Sequence, residues 1–177
     1  TWIWMYRIHI FGWVTMGIAL FALVSVTARK PYRVLILPGA GMLIIGTFTL
    51  AIANAYFYNF GAWGVGQTAG MSAVEIQEFI NDILFTNQYV TCFIRFGRVF
   101  SGVGLVLLGY GFIRWHIVAK WLGWFTVILG LAAMGIVMGI PDNYEIYKPL
   151  FHVKVIWLVA MGAVILIKGI HLPKSVG

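Results

Sequence analysis

The sequence is poor in charge and poorest in acid. Five Asp and Glu stand against twelve Lys and Arg, and charged residues fill only 10% of 177 positions. A soluble domain carries about 25% charged residues, so that class is excluded, and a 62% apolar content excludes a disordered chain. Cys92 is the only cysteine, which excludes a disulfide scaffold. The net charge of +7 is scattered between long uncharged runs, whereas a nucleic-acid groove gathers its charge on one exposed face. No Walker loop, Ser-His-Asp pattern, Cys-x-x-Cys or His-x-x-x-His pair is present. The apolar runs hold no Asp or Glu to relay protons, which argues against an ion-driven pump.

What is there is long and apolar. A bilayer-crossing helix needs about 20 mostly apolar residues, and five runs are long enough: 2–28, 34–58, 89–115, 121–140 and 150–170. The alternating segments of a membrane barrel are missing. The expected fold is all-α: a polytopic membrane protein, a five-helix transmembrane bundle forming one domain over 1–177, with one short outer amphipathic helix. That helix belongs to the outer loop 61–88. The glycine-rich stretch from Gly61 to Gly66 reads as a turn, and Ser72 with Glu75 reads as a capping box. Val74, Phe79, Ile80, Ile83 and Leu84 then form an apolar stripe opposite Glu75, Glu78 and Asp82, ending near Thr86. Such a helix lies on the outer surface and either caps its own bundle or docks a partner.

Charge segregation orients the bundle. With five spans, Arg29, Lys30, Arg33, Arg114, Lys120, Lys168 and Lys174 fall on one side, and Glu75, Glu78, Asp82, Asp142 and Glu145 on the other. The positive-inside rule then places the chain in the cytoplasmic (inner) membrane with its N-terminus outside and its C-terminus in the cytoplasm. Trp2, Trp4, Trp63, Trp115, Trp121 and Trp124 lie near span ends, as interfacial aromatics do. A first span that opens almost at Thr1, with an outside terminus, fits a processed N-terminus.

Ionisable groups inside a span are costly and are usually paired or functional. Here they gather in the outer third: Arg7 and His9 on the first span, Arg95 and Arg98 on the third, His152 and Lys154 on the fifth, with Asn54 of the second at similar depth. The fourth span has none. His152 and Lys154 are two apart, about 200° around a helix, so only one can face a shared pocket. Gly12, beside His9, would let a flat ligand approach closely. As a cofactor site, His9 and His152 would be the metal ligands of a b-type haem, with Arg95, Arg98 or Lys154 on its propionates. In the structural alternative the arginines pair with outer acids or lipid phosphate, and the histidines hydrogen-bond within the bundle. Met5 and His9 are spaced for soft copper ligation, but the other methionines are scattered as core filler. His116 and His171 sit at the cytoplasmic boundary, ordinary interfacial positions.

The opening of the fifth span, with Tyr147, Phe151, His152 and Lys154, resembles the aromatic-His-x-Lys helix opening of membrane-bound, haem-containing protoporphyrinogen oxidases, and His9 is similar to their early histidine. Arg95-Phe96-Gly97-Arg98, and Tyr147 with Leu150 and Lys154, resemble helix openings of copper-resistance D membrane domains. The match covers about 25 residues, and the extra span 121–140 between the two motifs departs from the pattern. The resemblance implies haem or quinone chemistry at the outer side.

Two functions follow. The first is an integral membrane subunit that holds haem b or contacts quinone near the outer leaflet and passes electrons, an oxidoreductase component if it takes part in catalysis. The second is a cofactor-free accessory subunit of a large respiratory or monooxygenase complex, a role that close-packing, glycine-rich helices suit equally. In either case the expected partners are membrane lipids and other membrane subunits, and no nucleic acid. A channel would need a continuous polar path, and the inner halves of the spans have none.

Overall fold

The computed structural model describes residues 2–27, 33–140 and 144–170, all of them helix or short connections between helices, with no strand among them. The elements are α1 (Trp2–Thr27), α2 (Arg33–Phe57), a π-helical segment (Tyr58–Trp63), α3 (Gly64–Gln67), α4 (Ala73–Arg114), α5 (Lys120–Gly139) and α6 (Tyr144–Ile170). Ala28, Arg29, Lys30, Asp142, His171 and Lys174 lie outside the described residues, as do the side chains of Trp2, Met5, Trp63, Glu145 and Lys168. The expected all-helical class is what the chain adopts. Four helices, α1, α2, α4 and α5, are long and apolar enough to cross a membrane, and α6 contributes an apolar stretch over Pro149–Ile165.

α4 is the axle. Its C-terminal half packs between α2 and α5, and Leu105, Leu108 and Phe112 meet Ile36, Ala40 and Leu43 of α2 and Leu122 and Leu129 of α5. Leu20 of α1 and Met161 of α6 complete this core. The approach to both neighbours is set by missing side chains, the way in which helices apolar enough to cross a membrane pack closely. A Cβ on Gly104 would stand 2.7 Å from the Leu43 backbone nitrogen and 2.8 Å from the Gly39 carbonyl oxygen. On the α5 side, a Cβ on Gly130 would stand 2.5 Å from the Gly102 carbonyl oxygen.

Two expectations about the outer loop are corrected. The glycine run 61–66 is not a turn: the helix of α2 continues through the π segment into α3, and the chain turns only after Gln67, where Gly70 takes φ +89°. The outer helix is not short either, and it does not end near Thr86. It is the first part of α4, which runs unbroken for 42 residues, about 63 Å, roughly twice the hydrocarbon thickness of a bilayer. The reason is local, since no Gly or Pro interrupts the sequence between Ala73 and Phe96. The capping box does form. Ser72 Oγ accepts from the Glu75 amide at 3.4 Å, and the Glu75 carboxylate accepts from the Ser72 amide at 2.7 Å. The arm 73–88 touches the bundle where the Tyr56 hydroxyl donates to the Ile83 carbonyl at 3.3 Å. Phe85 is 78% exposed there.

The far end of α4 closes in a Schellman motif. The Ile117 amide donates to the Phe112 carbonyl and the His116 amide to the Ile113 carbonyl, with His116 in the left-handed region at φ 53°. That gives His116 a backbone role. α6 begins at Tyr144, earlier than the expected 150, and carries Pro149 inside the helix.

Gly104→Ala is expected to lower stability by about 1–3 kcal/mol, because the added methyl meets the α2 backbone at Gly39 and Leu43. Gly135→Ala, with nothing within 4 Å of its Cβ position, should raise it by about 0.5–1 kcal/mol. Thermal unfolding in mild detergent checks both. The bonds from Ser72 hold the Glu75 carboxyl below its ordinary value of 4.5. A depressed folded-state value means that the cap's contribution is present above 4.5 and is lost as pH falls through the lower folded value. Hydrogen exchange over 73–78 should therefore accelerate on acidification below 4.5 and be insensitive to pH above it, after correction for intrinsic exchange.

Candidate functional site

The chain runs up and down, so the start of α1, the end of α2, the middle of α4 and the start of α6 share one end of the bundle. Contacts between them show this directly. Arg7 Nε of α1 donates to the Tyr58 hydroxyl at 3.0 Å, and the Arg98 guanidinium of α4 lies 3.7 Å over the Tyr147 ring of α6. Arg7 also lies 5.2 Å from the Trp4 ring, on the exposed rim.

The helix-wheel conflict on α6 is resolved in favour of the lysine. Lys154 is 1% exposed and points inward, while His152 is exposed. The Lys154 ammonium lies 6.0 Å from the Trp13 ring of α1 and 5.8 Å from the Phe151 ring, and those two rings are themselves 5.8 Å apart. Arg98 acts electrostatically on both Lys154 and Tyr147. Tyr147, 4% exposed, is seven residues before Lys154 and so on the same helix face. Trp13, Lys154, Arg98 and Tyr147 thus form a column of donors between α1, α4 and α6.

Three of those donors lack an acceptor. Among the described residues, Trp13 Nε1, the Tyr147 hydroxyl and Lys154 Nζ are buried with no hydrogen-bond partner. Buried polar groups are paired as a rule, and an unpaired charge in a span costs about 3 kcal/mol. A desolvated cation–π contact returns about 2 kcal/mol, less at the outer limit of about 6 Å, so it offsets only part of that cost. An acceptor oxygen would satisfy each of them.

The other expected site residues divide. His9 is half-buried and presents its ring edge-on to Phe151 at 6.0 Å, and Phe151 is edge-on to His152 at 5.7 Å. Both histidines therefore adjoin the column through one phenylalanine, and His152 acts electrostatically on His9. Arg95 and Cys92 are exposed on α4, whereas Arg98 is half-buried. Asn54 turns back on its own helix, donating to the Leu50 carbonyl at 2.8 Å. Among the described residues, no group of three His, Cys, Asp or Glu converges as a metal site. The sequence reading did not single out Trp13, Tyr147 or Phe151 as site residues. The signals were present, because Trp13 follows His9 by one turn and Tyr147 precedes Lys154 by two.

A separate groove opens between α1 and α2. It holds about 170 Å³ and is lined by Trp13, Val14, Gly17 and Phe21 on one side and Ile44, Thr47, Phe48 and Ala51 on the other. The Thr47 hydroxyl donates to the Leu43 carbonyl at 2.6 Å, so the one hydroxyl of the lining is committed to its own helix. Trp13 belongs to both the groove and the donor column.

Lys154→Met removes a buried charge and keeps its bulk. It should stabilise the ligand-free protein by about 1–3 kcal/mol, a rise of several degrees in Tm, measured by thermal unfolding in detergent. A lowered Tm would show that the ammonium has an acceptor within the folded chain.

No protein-family profile, curated protein or solved structure matches the chain, so what the site does rests on its own side chains.

Proposed function

We propose that this chain is an integral membrane subunit that contacts a quinone near the outer leaflet and takes part in electron transfer within a larger complex. It sits in the cytoplasmic membrane with its N-terminus outside, as the charge segregation suggests. One observation carries the reading: a fully buried, unpartnered lysine between aromatic rings, in a layer of donors. A quinone supplies carbonyl oxygens that gain charge and protons on reduction. Lys154 Nζ donates to one of them, and that bond strengthens as negative charge develops on the oxygen. Trp13 and Phe151 offer flat apolar surface to the ring, and Arg98 and Tyr147 bias the layer toward acceptors.

The haem reading uses His9 and His152 as axial ligands and the cations for propionates. It asks two imidazoles to face one gap, and here both contact Phe151, with His152 on the exposed side of α6. Quinone contact asks only for groups that already adjoin, and it is therefore the reading we favour. The accessory-subunit alternative is favoured by the α4 arm, whose Val74, Ile80, Leu84 and Phe85 are exposed, a surface suited to another subunit.

The test is a reduced-minus-oxidised spectrum of protein purified in mild detergent, with extracted quinone and co-purifying subunits quantified from the same sample. Quinone approaching one per chain, lost in Lys154→Met with the fold retained, is the expected result. An alpha band stoichiometric with the chain would replace quinone by haem. Neither signal, with larger subunits present, would leave the accessory role.

A further inference from the structure

The groove between α1 and α2 meets the donor column at a single side chain. Trp13 lines the groove, and its ring also stands 5.8 Å from Phe151 and 6.0 Å from the Lys154 ammonium. An amphiphile whose head accepts from Lys154 therefore has an apolar channel beginning beside it. Small residues make the floor of that channel. A Cβ on Gly17 would meet nothing within 4 Å, and Ala51 faces it from α2. Phe21 and Phe48 flank the floor with broad walls, and the one hydroxyl present, that of Thr47, is committed to its own helix. A narrow trough with carbon walls and no polar demand suits a linear, unbranched or methyl-branched chain better than a ring system or a polar head.

We propose that this groove binds the polyprenyl tail of the quinone whose head contacts Lys154, so that the ligand class is a long-tailed quinone held at its head by α6 and along its tail between α1 and α2. The assignment rests on the quinone reading and adds the tail site to it. Transfer of a tail from lipid to groove gains no hydrophobic free energy, because lipid is equally apolar. The selectivity comes from packing contacts along the walls, and its expected size is modest.

Gly17→Leu fills the trough from α1, and Ala51→Leu fills it from α2. The open space at Gly17 makes the first substitution compatible with the fold. Quenching of tryptophan fluorescence by a tail-less naphthoquinone, and by the same head carrying a polyprenyl tail, gives the two Kd values for each protein in nanodiscs. The wild type should bind the tailed form about tenfold more tightly, with ligand concentrations counted in the lipid phase. Either variant should reduce that preference to near one while leaving the Kd of the tail-less form unchanged.

Equal Kd values for the two forms in wild type would overturn the tail site and leave the quinone reading standing. So would a preference that both variants retain. Failure of wild type to bind either form would overturn the quinone reading and the tail site with it. Loss of co-purified phospholipid in Gly17→Leu, with no change in either quinone Kd, would assign the groove to an ordinary acyl chain and overturn the proposal.

Discussion

The approach of α4 to its two neighbours is the constraint on which the rest of the structure depends. Gly39, Gly46, Gly97 and Gly104 let α2 and α4 come into backbone contact, and Gly102, Gly109, Gly123 and Gly130 do the same for α4 and α5. For helices apolar enough to cross a membrane, burying Leu against Leu would gain little over leaving it in lipid. Shape complementarity must supply the association, and removing Cβ atoms is the direct way to obtain it. The three central helices are therefore fixed relative to one another, and α1 and α6 are placed by what those three leave exposed.

That division of labour explains where the polar column sits. A buried ammonium inside the α2–α4–α5 seam would force the helices apart and forfeit the contacts that hold them. Lys154 is instead on α6, which meets α5 through the Trp157 indole donating to the Thr126 hydroxyl at 2.9 Å and through the Phe125 and Trp157 rings at 4.5 Å. It meets α1 and α4 through Phe151, Lys154 and Tyr147, the column itself. The least glycine-bound helices carry the least satisfied groups, consistent with functional elements being drawn from the less stable part of a fold.

The helices were legible in the sequence because runs of apolar residues this long have few other readings, and the end of α4 near Arg114 and the whole of α5 fall within a residue of expectation. The continuity of α4 was not read, although its signal was present: a Ser72 cap followed by no Gly or Pro until Gly97. A change from amphipathic to fully apolar composition marks a change of solvent, not a break in the helix. The run 61–66 misled for the opposite reason, since glycine permits a turn without requiring one, and here the chain widened into a π segment. At the site, periodicity correctly separated His152 from Lys154. Which of the two turns inward depends on where α1 and α4 stand, and that is tertiary information.

The ladder of costs at Lys154 distinguishes a ligand site from a structural ion pair. A lysine kept for structure brings an acid with it, since removing either partner of a buried pair is strongly destabilising and selection holds both. Arg7, on the exposed rim, has no acid among the contacts of its Nε but has a tyrosine hydroxyl that accepts from it, and two rings nearby. Lys154 has no such acceptor among the described residues. Its surroundings are two aromatic rings, a guanidinium of the same sign and two further donors without acceptors. The guanidinium and the two donors favour an incoming acceptor, while the rings hold the ammonium by cation–π contact alone. Such an arrangement costs stability without a full return from within the described residues, and that cost is the ground on which the proposed quinone contact rests.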